Sequence, residues 1–355
     1  MNAPVALKHQ VRSADFGSQR EMERVCAFLA EEGGSLFQLP DWLRAVERAT
    51  GHKALGLVSE QMGVMTGWLP LIQVRSALFG KALVSSGFGV GGGILARSEE
   101  AVSALAAAAQ AHALRSGAAS LELRGGPIPQ GEGWRRIADR HCGFAGPLAR
   151  DDEAQLCAIP RKARAEVRKS LKGDLEVRIG RARDDQSAHY AVYSESVRNL
   201  GTPVFPARLF REMLAAFANT SDILTVLHEG KPIASVLSFY HAGAVLPFWG
   251  GGTFAARGAR ANERMYYELM LHARRRGAQR FDFGRSKTGS GPYHFKKNWG
   301  FEPEPLVYGQ WNAPGAQPRD VDPASAAYAR KIALWKKLPL PVANTLGPWI
   351  ARGLA

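Results

Sequence analysis

The sequence predicts a mixed α/β protein built from two copies of one unit, each a mixed sheet flanked by helices. Three observations predict it: a repeat at a fixed offset, the same strand–helix–strand order in each copy, and a composition suited to two cores. His112-Ala113-Leu114-Arg115-Ser116-Gly117-Ala118 recurs as His272-Ala273-Arg274-Arg275-Arg276-Gly277-Ala278, 160 residues further on. The register persists beyond this segment, where Leu121-Glu122-Leu123-Arg124 matches Phe281-Asp282-Phe283-Gly284. Upstream, Leu57–Glu60 with Gly67–Leu71 matches Val226–Glu229 with Ala234–Ser238, and downstream Cys142-Gly143-Phe144 echoes Trp299-Gly300-Phe301. Four features in one order are the signature of an internal duplication.

Within each copy the elements follow from local pattern. Strands are expected at Leu55–Ser59, Gly67–Gln73 and Lys81–Ser85, and again at Ile223–Glu229, Ala234–His241 and Ala244–Trp249. A helix follows each set. Ser98 caps the first, with Glu99 and Glu100 where the helix dipole favours acids. The second runs from about Asn262 to Arg276 and stops at Gly277. A strand comes next, so the helix is a crossover in a mixed sheet. Between the copies Pro160 starts a helix, Arg161–Lys172, with an apolar stripe of Ala163, Val167 and Leu171. Its six cations in thirteen residues from Pro160 leave two readings open, a solvated face and an anion contact. The expected organisation is 1–150 as the first domain, 151–312 as the second with the active site, and 313–355 as a linker and amphipathic tail. Residues 313–323 read as loop and Ala326–Leu338 as helix, with Trp335, Lys336, Lys337, Trp349 and Arg352 interleaving aromatic and basic groups. Such a tail packs on its domain or lies on an anionic membrane surface.

Length and composition agree. At about 150 residues per domain, 355 residues make two domains. Hydrophobic residues are 46% and charged residues 22%, as in globular proteins. The charge is +14, which favours anionic partners: nucleic acid, nucleotide cofactors, anionic glycans or a membrane face. Three dispersed cysteines with no CxxC argue against disulfides and structural zinc. No long apolar run occurs, and a polar N-terminus gives no signal-peptide pattern, so a cytoplasmic location is expected, with peripheral contact at the inner membrane face left open.

GxSxG, HExxH and GxxxxGK[ST] are absent, which excludes those nucleophile, zinc and P-loop chemistries. No metal site is expected. The informative segment is the one where the copies differ, Arg285-Ser286-Lys287-Thr288-Gly289-Ser290-Gly291-Pro292-Tyr293-His294-Phe295-Lys296-Lys297-Asn298-Trp299-Gly300. It sets four cations and a glycine-bearing loop at a strand's C-terminal end, where open α/β sheets bind ligands. Amides of such a loop with Arg and Lys suit phosphate. Ser194–Pro206 is a second stretch of interest, in which Arg198 and Asn199 either hold substrate or cap a helix.

The string Phe281–Pro303 resembles the FemAB-like proteins of PEP-CTERM/exosortase and exopolysaccharide loci, as do Arg198–Pro206, Pro160–Lys169 and Trp335–Asn344. The likeness covers most of the chain and implies tandem GNAT-type N-acyltransferase domains, in keeping with the repeat. It further implies an enzyme of cell-envelope or exopolysaccharide metabolism with no tightly bound cofactor. Its donor would be aminoacyl-tRNA, as in FemAB relatives, or acyl-CoA, as in the wider group, and its acceptor an amine. One stretch departs from the acyl-CoA pattern: in Arg257-Gly258-Ala259-Arg260-Ala261-Asn262, Arg and Asn stand where glycines let pyrophosphate approach the backbone.

The expected chemistry is attack of a neutral amine on an ester or thioester, with donors for the oxyanion and no covalent enzyme intermediate. The expected catalytic residues are Lys296, Tyr293 and Asp282, the last with a structural role as its alternative. Donor and substrate contacts are expected from Arg285, Ser286, Lys287, Lys297, Trp299, Arg198, Asn199 and Arg260, with Trp249 and Gly250 lining the acceptor pocket. Two other readings stay open: an acyl-CoA-dependent enzyme with a lipidic acceptor, and a non-catalytic polyanion-binding protein. Sequence-specific DNA binding is not expected, for groove-reading motifs are missing.

Overall fold

The computed structural model describes residues 9–316 and 326–354. These residues form two compact units, one of 9–138 with 307–316 and 352–354, the other of 139–306 with 326–351. The first contains β1 (Gln10–Ser13), α1 (Gln19–Glu31), α2 (Pro40–Thr50), β2 (Lys53–Gln61), β3 (Val64–Ser76), β4 (Gly80–Ser85), β5 (Leu95–Ala96), α3 (Glu99–Ser116), β6 (Ser120–Arg124) and β7 (Trp134–Ile137). The second opens with β8 (His141–Pro147), α4 (Asp152–Ala158), α5 (Arg161–Lys172), β9 (Glu176–Gly180), α6 (Arg183–Leu200), α7 (Ala207–Ala216), β10 (Ser221–His228) and β11 (Lys231–His241). It continues through β12 (Ala244–Gly252), α8 (Phe254–Ala259), α9 (Ala261–Arg275), β13 (Arg280–Asp282), β14 (Ser286–Lys287), α10 (Gly291–Asn298) and β15 (Pro303–Pro305). Then β16 (Tyr308–Asn312) returns to the first unit, and α11 (Ala326–Trp335) and α12 (Leu340–Ala351) belong to the second.

The sheets run β1-β2-β3-β4-β6-β16-β7, with β5 on β3, and β14-β8-β13-β12-β11-β10-β9, with β15 on β8. The duplication is visible in both. Hairpin β2–β3 turns at Met62-Gly63 and β10–β11 at Glu229-Gly230, all four residues at positive φ, as tight hairpin turns require. Helix α3 starts on the Ser98 hydroxyl, which accepts the Ala101 amide, and ends at left-handed Gly117. Its counterpart α9 ends before left-handed Gly277. Each crossover joins parallel neighbours, β4 to β6 and β12 to β13.

Three expectations are corrected. The boundaries at 150 and 312 are displaced because β8 pairs with β13 while β16 pairs with β6. Each sheet thus takes an antiparallel strand that the expected boundaries assign to the other domain. For the same reason Cys142–Phe144 is no counterpart of Trp299–Phe301: the former is strand, the latter follows α10. The stripe on α5 is also narrower than expected, with Val167 buried, Leu171 36% exposed and Ser170 buried instead.

The second core gathers Phe144, Val167, Leu224, Val226, Val236, Met265, Leu269, Phe281, Phe283 and Trp299. Side-chain alternation on β12 assigns the helices to its two faces. A Cβ at Gly250 would meet Tyr266 of α9 and one at Gly252 would meet Asn262, whereas one at Gly251 would meet Ser196 of α6. Helices α6 and α9 therefore cover opposite faces of the sheet. The tail packs on α6. The Arg198 guanidinium donates to the carbonyls of Lys336 and Leu338, the Asn344 amide donates to the Ser194 hydroxyl, and Gly347 lies against Val204. Of the loop expected at 313–323, residues from 317 on lie outside the described residues.

Candidate active site

The site follows from how β12 and β13 part. They pair only at Ala244↔Arg280 and Val245↔Phe281. Beyond that point β12 continues along β11 to Gly252, while the chain after Phe281 follows β8: Asp282 pairs with Ala145, and the Phe283 amide donates to the Phe144 carbonyl at 2.7 Å. Two parallel strands that diverge at their C-terminal ends open a cleft where α/β sheets bind ligands. Tyr266 spans its floor. Its hydroxyl lies 3.4 Å from where a Gly250 Cβ would stand, and its ring is 4.7 Å from Phe283. Phe295 of α10, its ring 5.8 Å from that of Tyr266, completes this aromatic lining.

At the rim stand Asp282, Tyr293 and Lys296. The Asp282 carboxylate accepts the Gly284 amide at 3.0 Å, closing the turn at left-handed Gly284. Half of the segment expected as a loop is helix: Ser290 caps α10 by accepting the Tyr293 amide, with Pro292 in the first turn. One turn on, Lys296 points back to β13. Its ammonium donates to the Gly284 and Arg285 carbonyls, both at 3.1 Å, and lies over the Phe144 and Phe283 rings at 5.4 and 5.3 Å. Tyr293 stacks edge-on against Phe144.

This environment shifts both titratable groups. Burial pulls the Lys296 ammonium down to about 7, and Arg285 adds to the fall while Asp282 opposes it. Burial raises Asp282, against the Gly284 amide and the nearby Arg280 and Lys296. A lysine and a carboxyl with opposed shifts at one rim make these two residues candidates for proton or charge handling. The Ser286 side chain is buried, with no hydrogen-bond partner for its hydroxyl among the described residues. Arg285 is half-buried, and Lys287 and Lys297 are exposed.

The other residues expected at the site lie elsewhere. Trp249 points to the α6 face, where it is 4% exposed among Phe205, Phe210, Phe239 and Phe248. Arg198 holds the tail, and Asn199 occupies the last turn of α6 on that same face. Trp299 is 3% exposed and serves the core. Arg260, left-handed at φ +57°, joins α8 to α9 and is ion-paired with Glu166 of α5. Tyr266 is a site residue that the sequence did not suggest. Its only signal was position, on the crossover helix facing the strand glycines Gly250 and Gly252.

Among the described residues the first unit shows no open counterpart of this cleft. Its parallel pair, β4 and β6, is followed by the glycine-rich segment Ser86–Ile94, which returns into the position beside β6. The Gly93 amide donates to the Arg124 carbonyl at 2.8 Å, and the buried Arg124 guanidinium donates to the Gly89 carbonyl and to Glu122. The Tyr308 hydroxyl donates to the Val90 carbonyl. Ser86 and Phe88 take positive φ to make this path.

Comparison with known proteins bears on the second unit most directly. Residues 160–297 match the acetyltransferase (GNAT) domain family. No curated protein matches the chain by sequence. Among solved structures the chain is similar to FemX, at 15% identity and a TM-score of 0.64, covering 84% of this chain and 96% of that one. It is also similar to a tandem GNAT protein from the clavulanic acid biosynthesis pathway, at 13% identity and TM-score 0.60, over 88% of this chain and 100% of that one. A third is the C-terminal domain of a putative lysylphosphatidylglycerol synthetase from Agrobacterium fabrum, at 13% identity and TM-score 0.56, over 83% of this chain and 93% of that one. With both sheets built on the same plan, the chain has a tandem GNAT-like fold, and its open cleft lies inside the segment that matches the acetyltransferase (GNAT) domain family.

Proposed function

We propose that this acyltransferase moves an aminoacyl group from aminoacyl-tRNA to an amine of a cell-envelope or exopolysaccharide precursor, at the cleft between β12 and β13. The observation that carries the choice of donor is the start of α9. A coenzyme A pyrophosphate would need bare backbone amides there. Instead Arg260 stands at the junction, tied to Glu166, and Glu263 occupies the first helical turn, its carboxyl raised by burial and by the Glu166 charge. An acid in that turn opposes a pyrophosphate.

The cations are displayed on α5, which packs along α9. Arg161, Lys162, Arg168 and Lys172 are exposed and make no ion pair among the described residues, as a surface for a nucleic-acid backbone would. In the reaction the neutral amine attacks the ester carbonyl carbon and the carbonyl oxygen takes the negative charge; collapse then breaks the acyl C–O bond while one proton passes from the new ammonium to the leaving oxygen, so that the tRNA departs with a free 3′-terminal hydroxyl. The Lys296 charge, held at the rim by two carbonyls, stabilises that oxyanion, and Tyr293 and Tyr266 line the path. Asp282 and Lys296 set each other's charge. Arg285, Ser286 and Lys287 border the donor end.

The triple variant Arg161→Glu, Lys162→Glu, Arg168→Glu tests the donor assignment. Three lost phosphate contacts lower the salt slope of tRNA binding by about 2 to 3 and weaken binding at low salt by about tenfold or more. Filter binding across a salt titration measures both. An unchanged slope contradicts the assignment.

A further inference from the structure

The tail helices are amphipathic in a way the packing on α6 does not use up. Their inner face is made of small or well-fitted groups: Ala343, Gly347 and Ala351 at helical spacing, Ile332 against Gly201, and the Arg198 bonds at the turn between α11 and α12. Their outer face carries large apolar side chains. Leu334 is 67% exposed, Val342 41%, Leu346 46% and Trp349 53%. Val342, Leu346 and Trp349 follow one another at spacings of four and three, so they share one side of α12. Around them Arg330, Lys331, Lys336 and Lys337 are all exposed. After Asp322 the chain holds five cations and no Asp or Glu.

We propose that this outer face of α11 and α12 docks on an anionic lipid bilayer, with Leu334, Val342, Leu346 and Trp349 entering the interface and the cations meeting lipid phosphates. An apolar stripe rimmed only by cations is complementary to a surface that is apolar below and anionic above. A tryptophan at its edge suits the headgroup level, where an apolar body and a polar N–H are both accommodated. Lysines lay their apolar stems along the stripe while their ammonium groups stay in water. A second copy of the chain fits less well, because a two-fold contact through this face sets like charges against each other. Nucleic acid fits its cations but gives the apolar centre nothing to bury against. No described helix is long and apolar enough to cross a membrane, so the contact is peripheral. The inference rests on the tail alone and is independent of the donor and acceptor proposed above.

The test is co-sedimentation of the full chain with vesicles of phosphatidylcholine and with equimolar phosphatidylcholine and phosphatidylglycerol. The chain pellets with the mixed vesicles and not with phosphatidylcholine. Because the whole protein is basic, the variants locate the surface. Leu346→Ser with Trp349→Ser, both outer-face positions, weakens vesicle binding by about tenfold or more, for the buried apolar area is lost. Arg330→Glu with Lys337→Glu, both at exposed positions, weakens it comparably and leaves the Ile332 and Lys336 contacts with Gly201 in place, which keeps the test valid should the serine variant melt early. The α5 triple variant retains binding. Failure of the wild type to pellet overturns the proposal, as does wild-type binding by either tail variant, loss of binding in the α5 variant, or a concentration-dependent dimer that the serine variant abolishes.

Discussion

Replacing Lys296 by Ala is expected to lower turnover by about a hundredfold to a thousandfold, the size of effect seen when an oxyanion loses one stabilising donor. Far-UV circular dichroism should be unchanged, since α10 keeps its Ser290 cap and its Trp299 anchor. The side chain also ties down the Gly284 and Arg285 carbonyls, so a second variant separates charge from anchoring. Lys296→Met keeps most of the length and the contact with Phe144 and Phe283 but removes the charge, and it should lose nearly as much. The pH dependence has a definite sign. With the ammonium lowered to about 7, kcat falls as pH rises through that value, because the cation that stabilises the oxyanion is being discharged. Stability moves the opposite way. The cost of burying the charge is fully present below pH 7 and fades as pH rises towards the ordinary lysine value, for there the unfolded chain binds the proton that the folded one has released. Wild-type turnover in Lys296→Met, measured as acceptor-dependent loss of label from aminoacyl-tRNA, would remove Lys296 from the chemistry.

The second large effect is structural. Gly93→Ala is expected to destabilise the first unit by about 3 kcal/mol or more, at the upper end for overpacking, because its Cβ would be driven into the Gly125 carbonyl oxygen rather than into a flexible side chain. Urea unfolding followed by circular dichroism measures it. The same backbone contact is what closes the first unit's cleft, so the substitution also reports on that closure. A variant as stable as wild type would mean that Ser86–Ile94 has room to shift and that the closure is not fixed by packing.

The architecture was legible where local chemistry decides it. Ser98, Gly117 and Gly277 carry their helix boundaries in their own side chains or their absence, and the repeated His-Ala start located both crossover helices. What could not be read was long-range pairing. Nothing within His141–Pro147 says that it joins β13, nor within Tyr308–Asn312 that it joins β6. Those choices are made by strands more than a hundred residues away in sequence. The site was legible in part for the same reason. Asp282, Tyr293 and Lys296 are close in sequence and come together at one rim, whereas Trp249 and Arg198 were grouped with them on chemistry although side-chain alternation on β12 and the course of α6 send them to the opposite face. Tyr266 was invisible because its role comes from where β12 and β13 part. The glycine-rich segment Gly87–Gly93 is equally silent in the sequence, because a flexible composition gives no hint that it fills a cleft.

The donor assignment is tested most sharply by binding of labelled tRNA, charged and uncharged, with coenzyme A as competitor at fixed salt. Salt-sensitive binding alone would report only the basic surface. On the proposed reading the expected result is a clear preference for charged tRNA that coenzyme A does not displace, because Arg260 and Glu263 stand at the start of α9 where a pyrophosphate would sit. Equal binding of both tRNAs together with displacement by coenzyme A would contradict it and assign the cleft to an acyl thioester.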